Sequence, residues 1–176
     1  PGALATIRIA DRTYSFLFLH LKSFPAPRDW GLRDDMFAHV ASLKRAIDKR
    51  IVDGDANFVA IGDINTMGLN APHNDDLDID GARELSFVDR RMAYHRTRMR
   101  RLTKTHHETW WNGSDRWQPS ALDHAYAANH LTFTPFDGAE LRVEGWVNEP
   151  TVEARKTWID RFSDHCLLYG ELRLEA

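Results

Sequence analysis

Two apolar runs, at residues 14–21 and 57–62, with a helical repeat between them, constrain this chain more than any other feature. The first, Tyr14-Ser15-Phe16-Leu17-Phe18-Leu19-His20-Leu21, is almost continuously apolar, which predicts a central strand buried on both faces. Between the runs, Met36, Val40, Leu43, Ile47 and Ile51 recur at helical spacing along one stripe. Arg33, Lys44, Arg45, Asp48, Lys49 and Arg50 are expected on the remaining faces of that helix, off the apolar stripe. Phe24-Pro25-Ala26-Pro27 reads as a loop whose two prolines exclude helix and sheet pairing, and Asp53-Gly54-Asp55 reads as the helix stop. Asn57-Phe58-Val59-Ala60-Ile61-Gly62 is a short buried strand. Strand, helix and strand at this spacing make the crossover unit of an α/β protein.

The flanking segments extend this unit. Residues 4–9 alternate, and Asp11-Arg12 supplies a turn, so they predict a hairpin with the first apolar run. Residues 66–81 are irregular and acidic, whereas residues 83–104 carry eight Lys or Arg against Glu84 and Asp89. Further strands are expected at 121–128, 141–147 and 167–174, with Trp110, Trp111 and Trp117 in the loop before the first of them. No internal repeat or flexible linker interrupts the pattern, so residues 1–176 read as one domain. With 43% hydrophobic and 28% charged residues the chain is globular rather than disordered. A net charge of -3 argues against coating nucleic acid by bulk charge and leaves room for a local basic patch. The apolar run ending at Leu21 is far below the ~20 residues of a membrane span, so no transmembrane segment is expected. Cys166 stands alone, which excludes an internal disulfide framework. The chain opens Pro1-Gly2 without an initiator Met, the expectation being a processed or partial chain.

Four segments share one design, an apolar strand followed by a titratable or amide side chain: His20, Asp63 with Asn65, Asp123 with His124, and Asp164 with His165. In α/β sheets, sites collect at such strand ends. Brought together, they offer carboxylates for a hard divalent cation, imidazoles for proton transfer and an amide donor. Phosphoester hydrolysis needs this set: the cation offsets phosphate charge, a base deprotonates water, and donors stabilise the pentavalent transition state.

Gly62-Asp63-Ile64-Asn65, Leu122-Asp123-His124 and Ser163-Asp164-His165-Cys166 resemble, in that order, the last three signature motifs of the endonuclease/exonuclease/phosphatase superfamily. Phe18-Leu19-His20-Leu21-Lys22-Ser23 resembles the family strand that carries an upstream histidine, and Thr109-Trp110 resembles a Thr-Trp pair found in many members. The resemblance implies a deoxyribonuclease I-like fold, a four-layered α/β sandwich of two mixed β-sheets flanked by helices. It implies a Mg²⁺- or Mn²⁺-dependent phosphoester hydrolase, with a nucleic-acid strand the leading substrate. Asp63 would orient or deprotonate the attacking water, and Asn65 would bind the scissile phosphate. His165 would act as acid or base, held in its tautomer by Asp123, so the base is assigned jointly to Asp63 and His165. Asp164 would bind the metal directly or through water, His20 would be the general acid on the leaving group, and Trp110 would contact substrate.

Family members carry two earlier motifs, a strand ending in Asn and a strand ending in Gln-Glu whose Glu is the principal metal ligand. Only 19 residues precede His20 and neither motif occurs there. The chain is therefore expected to be the carboxyl-terminal part of a catalytic domain, weak in Mg²⁺ binding and inactive by itself. Two other readings stand beside the nuclease: the same chemistry on a lipid or small phosphoester, as in a phosphatase or sphingomyelinase, and a non-catalytic pseudo-enzyme binding module. Several features read as ordinary structure. His124 should point away from the site on strand alternation. Asp76-x-Asp78-x-Asp80-Gly81 lacks the twelfth-position Glu of a calcium loop, where Phe87 stands. His106-His107-Glu108 lacks zinc spacing, and Cys166 is a packed side chain. The basic run fits a solvated helix face and a phosphate-tracking surface equally.

Overall fold

A computed structural model of the chain describes residues 2–51 and 54–174. β1 (Gly2–Ile9) and β2 (Arg12–His20) form an antiparallel hairpin in which Ile9 faces Arg12. The turn is therefore Ala10-Asp11, one residue earlier than Asp11-Arg12, and Ala10 sits at φ 53°. α1 (Pro27–Asp48) follows, and β3 (Asn57–Asp63) returns parallel to β2 with His20 opposite Asp63. This is the expected crossover. Asp53, proposed as part of the helix stop, lies outside the described residues.

Downstream come α2 (Gly81–Met92), β4 (Met99–Arg101) and β5 (Asp123–Ala128). The five strands form one mixed sheet in the order β1-β2-β3-β5-β4. The remaining elements are β6 (Phe133–Thr134), β7 (Arg142–Glu144), α3 (Val152–Arg161), β8 (Leu167–Tyr169) and β9 (Glu171–Leu172). β6 pairs with β9 and β7 with β8, both antiparallel. The strand expected at 141–147 ends early because Trp146–Asn148 turns into a 3₁₀ helix, and Gly170 divides the last one. Among the described residues no helix is long and apolar enough to cross a membrane.

The chain divides into two compact units. The first runs to Arg101 and includes Ala125–Leu131; the second comprises Leu102–His124 and the segment from Thr132 onward. In the first unit, Leu17 and Leu19 of β2 and Phe58 and Ala60 of β3 pack against Phe37 and Val40 of α1 and Leu85, Val88 and Met92 of α2. The second unit is centred on Trp111, Val143, Trp146 and Cys166, with Trp158 and Ile159 of α3 against them.

Three expectations need correction. β2 is central but not buried on both faces: Leu17 and Leu19 face the helices, whereas Phe18 is 51% exposed and His20 is exposed. Strand alternation puts them on opposite sides, and the apolar composition hides that difference. Pro27 does not exclude helix, because it occupies the first helical turn, where its missing N–H costs nothing. Arg33 and Lys44 do not lie off the covered face of α1; both side chains are 0% exposed. Each is buried because a carboxylate meets it. Lys44 Nζ donates to both Asp48 oxygens at 2.6 and 2.7 Å, and Asp48 also accepts from the Ala56 backbone N–H at 2.8 Å.

Arg33 forms a two-pronged pair with Glu84 of α2, Nε to Oε1 at 2.8 Å and Nη2 to Oε2 at 2.9 Å. Removing one partner of a buried ion pair leaves an uncompensated charge, at a cost of about 3–5 kcal/mol. Arg33→Met is expected to lower the urea unfolding free energy by about that much. Adding Glu84→Leu should restore part of the stability, and the coupling is read from the four unfolding midpoints of the double-mutant cycle.

Candidate functional site

In the first unit, the three proposed residues His20, Asp63 and Asn65 stand together at the ends of adjacent parallel strands. Gly62 makes this end possible. Its φ is 142°, and a Cβ there would lie 2.1 Å from the Leu19 carbonyl oxygen, so only glycine fits between the strands. Asn65, at φ 49°, adopts the left-handed conformation that asparagine tolerates. This folds it back onto Asp63. The Asn65 backbone N–H donates to Asp63 Oδ1 at 3.0 Å, and its amide donates to Asp63 Oδ2 at 2.6 Å and to the Leu21 carbonyl at 3.2 Å. Asn65 is 3% exposed, so its amide orients the carboxylate from beneath. His20 Nε2 lies 3.7 Å from Asp63 Oδ2, with its side chain 75% exposed.

In the second unit, Asp123, Asp164, His165 and Trp110 form another group. His165 Nδ1 meets Asp123 Oδ2 at 2.8 Å. The Trp110 indole N–H donates to Asp164 Oδ2 at 2.9 Å, and the Asp164 carbonyl accepts from Trp111 N at 3.0 Å and from the Trp146 indole at 3.1 Å. Trp110 therefore holds the acidic residue proposed as the metal ligand, a role that the sequence does not suggest. His124 is buried and bonded through Nε2 to the Ala121 carbonyl.

Thr109 carries no signal in the sequence beyond its place in a motif. It is 0% exposed, and its hydroxyl oxygen accepts from Leu122 N at 3.1 Å and Asp123 N at 2.9 Å. Its carbonyl accepts from Cys166 N at 2.8 Å. One residue thus fixes the backbone at Asp123 and beside His165. Lys104 Nζ adds a bond to the Asp123 carbonyl at 2.8 Å. A buried threonine whose main-chain neighbours lack partners is the signal to look for, and it emerges only once the loops are folded. Burial pushes the Cys166 thiol above its ordinary pKa, which suits a packed side chain rather than a nucleophile.

Asp164 offers a hard oxygen donor of the kind Mg²⁺ and Mn²⁺ prefer, already oriented by an indole N–H. Among the described residues no three His, Cys, Asp or Glu gather as a complete ligand cage. The donor set fits a cation bound by one or two carboxylates together with water and substrate oxygens, which is how Mg²⁺ is usually bound.

The basic run is largely engaged within the fold. Arg91 pairs with Asp34, Arg98 with Asp55 and Arg101 with Asp89, and Arg100 donates to the Leu131 carbonyl. Arg83 and Arg90 lie over the Phe87 ring at 6.0 and 4.8 Å. Asp80 caps α2, and Asp78 accepts from Ala71 N, so these carboxylates of the acidic loop serve its own backbone.

No protein-family model and no curated protein matches the chain. Solved structures do. A beta toxin from Staphylococcus aureus aligns over 98% of this chain and 56% of its own, at 14% identity and a TM-score of 0.54. D. rerio TDP2 complexed with a single-strand DNA product aligns over 97% of this chain and 60% of its own, at 14% identity and a TM-score of 0.52. Both have the deoxyribonuclease I-like fold, and so does this chain. The chain spans less than two thirds of the length of either structure.

Replacing Thr109 by Val keeps the shape and leaves two buried N–H groups without an acceptor, at a cost on the order of 1–3 kcal/mol. Thr109→Val is expected to lower thermal stability accordingly, and Thr109→Ser, which keeps the oxygen, should recover most of it.

Proposed function

We propose that this chain is part of a divalent-metal-dependent phosphoester hydrolase, a nuclease-type phosphodiesterase acting by in-line attack of water. The observation that carries the reading is the His165–Asp123 pair at 2.8 Å beside Asp164, held in register by Thr109. An imidazole whose Nδ1 is fixed by a carboxylate exchanges protons through Nε2, in one tautomer and one orientation. His165 therefore contacts the phosphate and serves as acid or base, sharing that assignment with Asp63. The Asp63 carboxylate is oriented by Asn65 toward a proton-accepting role, and Asn65 acts through Asp63 rather than on the phosphate. His20, exposed and near Asp63, protonates the leaving group. Asp164, positioned by Trp110, would hold Mg²⁺ or Mn²⁺, which when bound offsets phosphate charge.

The D. rerio TDP2 structure holds a single-strand DNA product, which supports a nucleic-acid strand as a substrate that this fold can take. Since Arg91, Arg98, Arg100 and Arg101 are engaged internally, phosphate binding along this face falls to Arg83, Arg90 and Arg96, all exposed.

Two measurements test this reading. In the full-length protein with Mg²⁺, Asp164→Ala or His165→Ala should lower turnover of bis(p-nitrophenyl) phosphate by at least ~10²-fold with the fold unchanged by circular dichroism. Turnover within a few-fold of the parent removes these residues from the mechanism. Affinity for single-stranded DNA should fall steeply with salt. Neutralising Arg83, Arg90 and Arg96 should flatten the log–log slope by about 0.7 for each phosphate that no longer meets a cation. A slope near zero in the parent moves the substrate to a lipid or small phosphoester.

A further inference from the structure

A groove of about 410 Å³ lies in the second unit, walled by Pro119, Trp146 and Val147, with His106, Glu108, Gln118 and Arg155 supplying polar heads. Pockets of roughly 300–1,000 Å³ accept small organic ligands. Among the described residues, the side-chain heads of His106, Glu108 and Gln118 have no hydrogen-bond or ion-pair partner. Arg155 donates Nε to the Glu149 carbonyl at 3.0 Å and retains its two terminal nitrogens. Glu108 and Arg155 carry opposite charges, line one groove and do not pair. A carboxylate and a guanidinium left apart in a partly buried groove are both short of the partner that would offset their desolvation.

We propose that this groove is a subsite for an unstacked nucleobase, with guanine preferred. This rests on the phosphoester reading above and names the substrate class as nucleic acid. The ligand that satisfies the groove must present donors to Glu108 and acceptors to Arg155 from one flat body. Guanine does so: N1–H and the exocyclic amine face a carboxylate, while O6 and N7 face a guanidinium, and the Gln118 amide can donate or accept beside them. Pro119 and Val147 supply apolar walls for the ring. A bare phosphate offers acceptors only and would meet the Glu108 charge. A phosphocholine head would present a quaternary ammonium, which offers no N–H and favours an open aromatic face. Trp146 is 1% exposed and presents no such face.

The groove is tied to the proposed chemistry. Glu108 directly precedes Thr109, and the Trp146 indole that backs the groove donates to the Asp164 carbonyl at 3.1 Å. A base seated there would be read by the chain segments that fix Asp123 and Asp164.

The test is calorimetric titration of the full-length protein with guanosine 5′-monophosphate, adenosine 5′-monophosphate and phosphocholine. The guanine nucleotide should bind about tenfold more tightly than either of the others, the size of one good bidentate pairing. Glu108→Gln should bring the guanine and adenine nucleotides within about twofold of each other, and Arg155→Ala should do the same. Glu108→Gln is near-isosteric and keeps the test interpretable where the arginine variant fails to fold. Equal affinity for the two nucleotides in the parent, or a preference that survives Glu108→Gln, overturns the assignment. Turnover of bis(p-nitrophenyl) phosphate, which has no nucleobase, reports separately on the hydrolase reading. Intact turnover without guanine preference removes the groove alone, and guanine preference without turnover removes the hydrolase.

Discussion

The first unit depends on one buried guanidinium. Arg33 places all five of its N–H donors: two on the Glu84 carboxylate, two on the carbonyls of Lys22 and Phe24, and one on the carbonyl of Gly68. Glu84 Oε2 closes the network by accepting from Gly68 N at 2.7 Å. A charge this deep is tolerated only where every donor has an acceptor and the counter-charge is bidentate. The acceptors are informative. Lys22 and Phe24 belong to the loop that leaves β2 after His20, and Gly68 to the loop that leaves β3 after Asn65. The helix pair therefore fixes the two exits on which His20, Asp63 and Asn65 stand, and core packing and site geometry share one interaction.

The second unit reaches the same end by neutral means. Thr109 offers one hydroxyl oxygen and one carbonyl, and with them holds the main chain at Leu122, Asp123 and Cys166. Two indole N–H groups complete the arrangement, Trp110 on the Asp164 side chain and Trp146 on its carbonyl. Carboxylates that must act in a transition state gain most from donors already in place, because no reorganisation is then needed as charge develops. Fixed donors around Asp63, Asp123 and Asp164 are the common pattern of the two units.

Much of this is legible in the sequence, and what is not has a physical reason. The crossover, the hairpin and the strand end carrying Asp63 follow from apolar periodicity, a local property; motif order finds Asp123 and Asp164, but Asp123 opens β5 and Asp164 lies between α3 and β8, so neither follows an apolar strand as expected. Arg33 and Lys44 are misplaced by periodicity because a charge on a helix reads as lying off the core-facing stripe unless its partner is known. The partner of Arg33 is 51 residues away in α2. Phe18 is misplaced because an apolar strand gives no sign of which face is covered. The helix α3 carries a mixed sequence, Val-Glu-Ala-Arg-Lys-Thr-Trp-Ile-Asp-Arg, whose weak apolar stripe shows only against Trp111 and Trp146. The hold of Trp110 on Asp164 is likewise invisible in one dimension, because an indole in a loop shows no partner there. Its bond to Asp164 spans 54 residues.

Charge compensation connects these observations. The chain is slightly acidic overall, and three of the eight cations in its densest basic run, Arg91, Arg98 and Arg101, are bound to Asp34, Asp55 and Asp89 within the first unit. Long-range attraction of an anionic strand is correspondingly modest, since paired charges cancel beyond roughly the 8–10 Å screening length. On the proposed reading, recognition of such a strand rests on short-range groups whose partners are not supplied by the fold. In the second unit such groups are concentrated in the groove of Glu108, Gln118 and Arg155, next in sequence and in hydrogen bonding to the residues that hold Asp123 and Asp164. On that reading, selection is by short-range fit rather than by field. Specificity should depend on the shape and hydrogen-bonding edges of the substrate more than on the number of phosphates.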